Sequence, residues 1–328
     1  MDEIIDIFHL PLSTSIESYT AIISLLCSSV LNSLHFILIL VTFMLLCYLD
    51  VIVTFGYKVT KINKSVIALL HNLKKHIMSK LKNKVAIVTG ASKGIGASIA
   101  KYFAIEGAKV VVNYSSNKED AEKVVQSITD HGGNAIAVQG DVSKLSDVVR
   151  LFEATKNTFG SLDILVNNAG IYPAAFIQDV TEETFHKLFV INVLGPLLTI
   201  KEAVKLFENA GGVIINISSG VSTTPLAMMA EYSATKAALD AITVSLSKEF
   251  SGRNIRINSI LPGGVETEGT RTAGITGSEL EKTIIEKTPL GRIGHPDDIA
   301  KVAVFLASDD SGWITGEKIT VAGGLYGL

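Results

Sequence analysis

The sequence predicts an α/β fold, a doubly wound parallel sheet of about seven strands with helices on both faces. Two observations predict this class. Short runs rich in β-branched and apolar residues recur along residues 84–328, and amphipathic stretches of roughly 10–20 residues separate them. Connections between such parallel strands are expected to be right-handed. The chain has 328 residues, 48% of them hydrophobic and 19% charged, so a sizeable core is expected.

The individual elements follow from the spacing of apolar residues. Seven short apolar runs are predicted strands: Val85–Val88, Lys109–Val112, Ala135–Val138, Ile164–Val166, Val213–Ile217, Arg256–Ile260 and Lys318–Val321. Six segments with apolar residues three and four apart are predicted helices: Ala97–Ile105, Lys118–Thr129, Val142–Thr158, Thr184–Phe207, Tyr232–Phe250 and Pro296–Leu306. The segment Glu268–Glu286 is predicted to be mobile.

Composition excludes several classes of protein. The formal net charge is −3, so no basic balance favours nucleic acid as a partner. The only cysteines are Cys27 and Cys47, which excludes a disulfide scaffold and the usual zinc-finger spacing. The mean hydropathy of +0.39 is high for a soluble enzyme.

The excess apolarity lies near the N-terminus. Between Glu17 and Asp50 there is no Asp, Glu, Lys or Arg. A bilayer core of ~30 Å needs about 20 mostly apolar residues, so this apolar helical segment predicts a single transmembrane helix at about residues 28–49. The acidic residues before it argue against a signal peptide. Lysines follow from Lys58 onward, and the positive-inside rule then places the rest of the chain in the cytoplasm.

The basic stretch after this span has apolar residues at helical spacing from Val66 to Leu81, which predicts an amphipathic linker on an anionic leaflet. Two alternatives stay open. The first alternative is that part of the stretch forms a buried core helix. The second is that translation starts at Met78, in which case the protein is soluble and cytoplasmic. The predicted domains are a leader, residues 1–77, and an α/β domain, residues 78–328.

The first predicted strand runs into a glycine-rich turn and then a helix. Gly90, Gly94 and Gly96 have the spacing G-x-x-x-G-x-G, with Ser92, Lys93 and Ile95 between them. Glycines let the backbone approach a pyrophosphate closely, and the helix N-terminus offers free N–H groups at the positive end of its dipole. The turn therefore predicts nucleotide binding in a Rossmann-type fold, the alternative being a tight turn without a ligand.

Four motifs together resemble the classical short-chain dehydrogenase/reductase family. They are the glycine turn Thr89–Gly96, the central-strand motif Asn167–Gly170, the pair Tyr232–Lys236 and the loop Pro262–Thr267. The resemblance covers essentially all of residues 84–328 and leaves the leader outside. It implies an NAD(P)-dependent oxidoreductase that interconverts a carbonyl and a secondary alcohol by hydride transfer.

Tyr-x-x-x-Lys by itself is a weak signal, because the chain contains three copies. Two of them are interpreted as surface coincidences: Tyr57/Lys61 and Tyr114/Lys118. Tyr232 and Lys236 lie on a predicted helix, where residues four apart share a face. A phenol has a pKa near 10, and an adjacent cation lowers the pKa toward the range useful for acid–base catalysis.

The resemblance assigns a role to each of four residues. Tyr232 is the general acid or base, and Lys236 lowers its pKa and holds the nicotinamide ribose. Ser219 holds the substrate oxygen, and Asn192 holds a water of the proton relay. An Asn inside a helix is disfavoured by propensity, so a specific partner is expected for it.

The resemblance also predicts the cofactor site. The predicted second strand ends at Asn113–Ser116 without the carboxylate that holds the ribose of NAD, and Lys93 lies in the glycine turn. NADP(H) is therefore the predicted cofactor, with NAD(H) as the alternative. The predicted contacts are Gly90, Ser92, Lys93, Gly94, Ile95, Gly96, Asp141, Val142, Asn168, Ala169, Gly170, Tyr232, Lys236, Pro262, Gly263, Val265 and Thr267.

The substrate is predicted only by class. The segments Ile171–Pro173, Gly220–Met229 and Glu268–Glu286 are mostly apolar or small, which suits a small-molecule carbonyl on an apolar body. The catalytic region resembles both 3-oxoacyl-carrier-protein reductases and glucose 1-dehydrogenase-like members, and both stay open. A non-catalytic dinucleotide-binding redox sensor is a third alternative. Family members usually form homotetramers or dimers through their two long helices.

Overall fold

A computed structural model describes residues 79–207, 211–272 and 274–325. Its sheet has seven parallel strands in the order β3-β2-β1-β4-β5-β6-β7. The strands are β1 (Val85–Val88), β2 (Lys109–Tyr114), β3 (Asn134–Gln139), β4 (Ile164–Asn167), β5 (Gly212–Ile217), β6 (Ile255–Pro262) and β7 (Lys318–Val321). All seven predicted strands are confirmed, and five of them extend one or two residues beyond the predicted bounds.

The helices connect successive strands in the predicted order. They are α1 (Gly94–Ile105), α2 (Lys118–Asp130), α3 (Leu145–Phe159), α4 (Glu182–Phe189), α5 (Gly195–Leu206), α6 (Ala230–Glu249), α7 (Glu268–Thr272), α8 (Glu279–Lys287) and α9 (Pro296–Ala307). Because the order of the strands reverses between β1 and β4, a crevice forms at the carboxyl ends of these two strands.

The apolar core forms two layers, one on each face of the sheet. Successive residues of a strand point to opposite faces, so Ala86 and Val88 pack in one layer and Val85 and Ile87 in the other. These four residues are at most 1% exposed. Strands covered on both faces read as continuous apolar runs, which is why these segments were identifiable from sequence.

The predicted continuous helix Thr184–Phe207 is wrong. The structure has α4, then a π-helical turn at Val190–Leu194, then α5. Pro196 has no N–H and cannot donate to the carbonyl of Asn192 four residues earlier, so a regular α-helical ladder cannot pass through this point. The π turn places Asn192 in the interior, where it is 1% exposed.

The segment Glu268–Glu286 contains α7 and nearly all of α8, two helices that were not predicted. Its mobility stays a prediction. The hydroxyl of Ser278 accepts a hydrogen bond from the backbone N–H of Glu281 and caps α8. The sequence pattern did not predict helix α8, because the helix is short and polar and only its residue Ile284 is buried.

Buried polar side chains from β4, β5, β6 and α6 form a chain of hydrogen bonds. Asn167 donates from Nδ2 to Oδ1 of Asn216 (2.9 Å), and Asn216 donates from Nδ2 to the hydroxyl of Thr243 (2.8 Å). The Thr243 hydroxyl lies 2.8 Å from that of Ser259. All four residues are at most 3% exposed, and each is hydrogen-bonded, as burial of polar groups requires.

The predicted transmembrane helix and amphipathic linker lie outside the described residues. Within residues 79–207, 211–272 and 274–325, no helix is both long enough and apolar enough to cross a bilayer.

Candidate active site

The glycine turn begins where β1 ends, at the crevice between β1 and β4. Gly90 and Gly94 have φ values of +59° and +58°, which residues with a Cβ rarely adopt. A Cβ on Gly96 would lie 2.4 Å from Nδ2 of Asn168, and one on Gly90 would lie 2.9 Å from Cα of Ala169. The glycines therefore let the turn pack directly against the chain that follows β4.

The start of α1 already holds an anionic group. The backbone N–H of Gly94 donates to Oε2 of Glu268 at 2.9 Å. This carboxylate lies where a helix N-terminus attracts a phosphate. The donor set therefore fits the pyrophosphate of a dinucleotide, for which the carboxylate is a stand-in. Ser92 and Ile95 are half-buried beside it, and Lys93 is exposed.

Asn113 braces the glycine turn from β2. Its Oδ1 accepts from the N–H of Gly90 at 3.2 Å, and its Nδ2 donates to the carbonyls of Val138 and Gly140. Both the oxygen and the nitrogen of this side-chain amide thus have hydrogen-bond partners within the protein. The exposed residues that follow β2 on this side are Ser115 and Ser116.

Asp141 and Val142, two of the predicted cofactor contacts, follow β3. Oδ1 of Asp141 accepts from the N–H and the hydroxyl of Ser143, at 3.0 and 2.6 Å. Val142 is buried, and a Cβ on Gly195 would lie 2.9 Å from its Cγ2. Both residues are thus fixed at the end of β3, on the β2 side of the crevice.

The segment after β4 is fixed by Thr89, whose hydroxyl accepts from the N–H groups of Asn168 and Ala169, both at 3.0 Å. Nδ2 of Asn168 returns hydrogen bonds to the carbonyls of Thr89 and Gly90. Gly170 follows, and a Cβ there would lie 3.7 Å from Nζ of Lys236. This segment therefore connects the glycine turn to the predicted catalytic lysine.

Tyr232, Lys236 and Ser219 converge as expected from the sequence. Nζ of Lys236 donates to the carbonyl of Ile217 at 2.8 Å and lies 5.6 Å from the centroid of the Tyr232 ring. The Tyr232 phenol hydrogen-bonds with the Ser219 hydroxyl. Ser218 instead donates to the carbonyl of Lys236 and is 3% exposed.

The ionisation of the pair differs from the sequence-based expectation that the lysine lowers the pKa of the phenol. Burial raises the pKa of Tyr232 to about 12, the proximity of Tyr172 adds to the rise, and Ser219 only partly opposes it. Burial also lowers the pKa of Lys236 to about 8, against the charge of Asp240. Desolvation disfavours the charged form of both groups and is the largest effect on each pKa.

Asn192 has the specific partners expected of a polar residue inside a helical segment. Its Oδ1 accepts from the N–H of Ile171 at 2.9 Å, and its Nδ2 donates to the carbonyl of Ile171 at 2.8 Å. Nδ2 also donates to the hydroxyl of Thr235 at 3.2 Å. The side chain therefore clamps the segment after Gly170 and connects it to α6; its proton-relay role stays a prediction.

The loop Pro262–Thr267 closes the crevice from the side of β6. Gly263 donates to the carbonyl of Val321, and Val265 pairs with Gly294. The side chain of Thr267 lies 3.5 Å from a Cβ placed on Gly94. This loop and the glycine turn, both predicted to contact the cofactor, thus face each other.

Apolar and aromatic side chains flank Tyr232 on the open side. The rings of Tyr172 and Tyr232 meet edge to face, with centroids 6.2 Å apart. The N–H of Ala175, two residues after the predicted substrate segment Ile171–Pro173, donates at 2.9 Å to the carbonyl of Met228 in the segment Gly220–Met229. Tyr172 and Met228 are each 42% exposed, so both offer apolar surface to a ligand.

Sequence reasoning missed Asn113, Glu268 and Asp240 as contributors to this site. The sequence did contain a signal for Asn113, because this residue places an amide within the apolar run of β2. The contact of Glu268 with Gly94 had none, because 174 positions separate the two residues.

Known proteins match most of the chain. The profile of the family described as enoyl-(acyl carrier protein) reductase matches residues 90–326. An uncharacterised oxidoreductase of Methylorubrum extorquens is 55% identical over 248 residues, which are 76% of this chain and 100% of that protein.

Two solved structures share the fold. A 7α-hydroxysteroid dehydrogenase, solved with NADH and 7-oxo glycochenodeoxycholic acid, has a TM-score of 0.72 and 34% identity, covering 75% of this chain and 96% of its own. An angucycline C-6 ketoreductase with bound NADP has a TM-score of 0.71 and 35% identity, covering 75% and 97%. The predicted fold class and family are confirmed. The chain belongs to the short-chain dehydrogenase/reductase family of NAD(P)-dependent oxidoreductases, which interconvert carbonyls and alcohols.

Proposed function

We propose that the protein reduces a ketone on an apolar ring system with NADP(H), and that Tyr232, Lys236, Ser219 and Asn192 carry the reaction. The observation that carries the proposal is the convergence of the first three side chains beside the glycine turn. The reverse reaction, oxidation of the alcohol, uses the same groups.

The roles follow from the chemistry of each side chain. The bound dinucleotide supplies the hydride. Tyr232, a neutral phenol whose pKa burial raises to about 12, donates its proton to the carbonyl oxygen as negative charge develops there. Ser219 donates a hydrogen bond to the same oxygen and orients it. Lys236 stabilises the phenolate that remains after proton transfer.

The preference for NADP(H) rests on the end of β2. No carboxylate is present in Asn113–Ser116 to bind a ribose 2′-hydroxyl and repel a 2′-phosphate. The exposed hydroxyls of Ser115 and Ser116 and the exposed ammonium of Lys93 supply donors for a phosphate. Placing a carboxylate there with Ser115→Asp should shift the ratio of kcat/KM values toward NADH, and an unchanged ratio would contradict this placement.

The substrate class rests on the walls of the cleft. Tyr172 presents a flat aromatic surface beside Tyr232, and Met228 presents exposed apolar surface in the preceding segment, which together suit a rigid ring better than a sugar. The steroid and angucycline enzymes with similar structures support this choice. A panel of cyclic ketones, 3-oxoacyl thioesters and sugars, assayed with both cofactors, tests it. A preference for thioesters would favour the carrier-protein alternative, and a preference for sugars the glucose dehydrogenase-like alternative.

The assignment of Tyr232 is tested with the full-length chain. Tyr232→Phe should lose at least a hundredfold in kcat/KM, about the contribution of one acid–base group, while the Kd for NADPH stays within twofold. Tyr102→Phe is the matched control, since this phenol donates to Asp297 on the other side of α1. Unchanged turnover in Tyr232→Phe would overturn the proposed mechanism.

Assembly and location are proposed on sequence grounds. A homotetramer formed through α4, α5 and α6 is tested by light scattering after size exclusion. A leader of residues 1–77, with a membrane helix at about 28–49 and a cytoplasmic domain of residues 78–328, is supported by the apolar length and the following lysines. Release of the full-length chain by carbonate washing, or an N-terminus at Met78 in the isolated protein, would contradict the anchor.

A further inference from the structure

A buried carboxylate lies one helical turn beyond the catalytic lysine. Asp240 follows Lys236 by four residues in α6, so the two side chains share one face of the helix. Each residue is only 5% exposed. A buried carboxylate is costly unless a charge or hydrogen bonds compensate it, so its surroundings indicate why it is retained.

The hydrogen bonds of Asp240 are unevenly distributed. Oδ2 accepts from the hydroxyl of Ser222 at 2.6 Å, whereas Oδ1 is buried and has no partner within the described part of the chain. Ser222 ends the 3-10 turn Gly220–Ser222, and its N–H donates to the carbonyl of Ser219 at 3.0 Å. The carboxylate is thereby connected to the turn that holds the catalytic serine.

The surroundings of Asp240 contain few compensating charges. It lines a cavity of about 510 Å³ together with the exposed Lys248 and Lys318, whose charges are screened by solvent. The elements packed on α6 are β6, the 3-10 turn, the π turn and α4. Neither turn has an ionisable side chain, and Arg256 of β6 donates to the carbonyls of Leu306 and Ser308. The titratable residues of α4 are Glu182, Glu183, His186 and Lys187.

We propose that Asp240 is a positioning residue of the active site: its carboxylate keeps Lys236 an ammonium ion and, through Ser222, fixes the turn that carries Ser219. The inference rests on the proposed function, because it acts through Lys236 and Ser219. Burial lowers the pKa of Lys236 to about 8, and the charge of Asp240 opposes that effect. Without this carboxylate, the lysine loses its proton at a lower pH.

The test is the pH profile of kcat/KM for ketone reduction by the full-length chain. Asp240→Asn has nearly the same shape and removes the charge. Its alkaline limb should move to lower pH by about one unit, a moderate shift for a nearby charge in a partly screened interior. Asp240→Glu should restore most of the limb. Ser222→Ala, which keeps the charge, should lower kcat/KM about tenfold without moving the limb.

Glu249→Gln is the matched control, because it removes an exposed carboxylate from the same helix and should leave the profile unchanged. A profile of Asp240→Asn equal to that of the wild type would overturn the inference, as would a uniform loss at every pH with the limb unmoved. Circular dichroism verifies the fold of each variant. If Asp240→Asn does not fold, Asp240→Glu decides: a shifted limb in that variant would contradict the role of the charge. Unchanged turnover in Tyr232→Phe would instead refute the proposed function itself.

Discussion

The carboxylate of Glu268 accepts from the N–H of Gly94, a group that we propose binds the phosphates of the dinucleotide. On this proposal cofactor binding breaks the contact, so the free energy of the contact is subtracted from that of binding. An exposed carboxylate at a helix N-terminus contributes about 0.3–1 kcal/mol. Glu268→Gln keeps the shape and removes the charge, and should therefore lower the Kd for NADPH about two- to fivefold, since 1.4 kcal/mol corresponds to a factor of ten.

The measurement is a fluorescence titration of NADPH without substrate, at constant ionic strength. Glu266→Gln is the matched control, because it removes the same charge two residues earlier, where the carboxylate pairs with Arg271 at 3.0 Å. Its Kd should stay within the experimental error of the wild type. Unchanged or weaker binding in Glu268→Gln would refute the competition. An equal gain in both variants would show that only the general charge of the loop matters.

Three further predictions concern stability and positioning. Asn216→Ala should lower the free energy of unfolding in urea by about 2–4 kcal/mol, because the buried Nδ2 of Asn167 loses its acceptor and the Thr243 hydroxyl loses the donor from Asn216; a loss below 1 kcal/mol would contradict this. Without dinucleotide, the free energy of unfolding should rise with pH between about 8 and 10.5, since unfolded Lys236 still binds a proton there and the folded group does not. Lys236→Met should remove that rise, and an identical rise in both proteins would refute the shift. Asn192→Ala should lower kcat/KM about 10- to 100-fold while the Kd for NADPH stays within twofold; weaker cofactor binding as the main effect would argue for a different role.

Much of the fold was predictable because local pattern and global topology agree. The buried strands read as apolar runs, and the glycine turn combines three glycines at a strand–helix junction, a position where a backbone conformation specific to glycine is required at Gly90 and Gly94. The bounds of five strands differed by one or two residues at an end, because hydrogen bonds extend the strands into polar ends such as Tyr114 and Asn167. The starts of two helices, α1 and α3, differed by three residues.

The features that sequence did not reveal depend on contacts between distant residues. Asn192 hydrogen-bonds with Ile171 and Thr235, which lie 21 and 43 positions away in the sequence. These contacts explain why a π turn interrupts the helical pattern at this residue. Pro196 indicates a break in the helix from the sequence alone, because proline rarely continues a helix. The position of Asn192 inside the protein depends on its contacts with distant residues and does not follow from the proline.

The relation between Tyr232 and Lys236 shows how burial changes a motif's chemistry. Proximity alone suggests that a cation lowers the pKa of the phenol. In the folded protein the same desolvation acts on both groups: it holds the phenol neutral and weakens the ammonium ion. A neutral phenol is the form that donates a proton, but burial makes Tyr232 a weaker acid than a free phenol, so proton donation depends on groups that stabilise the phenolate. The proposed role of Asp240 is to keep Lys236 protonated. A protonated Lys236 stabilises the phenolate that forms when Tyr232 donates its proton.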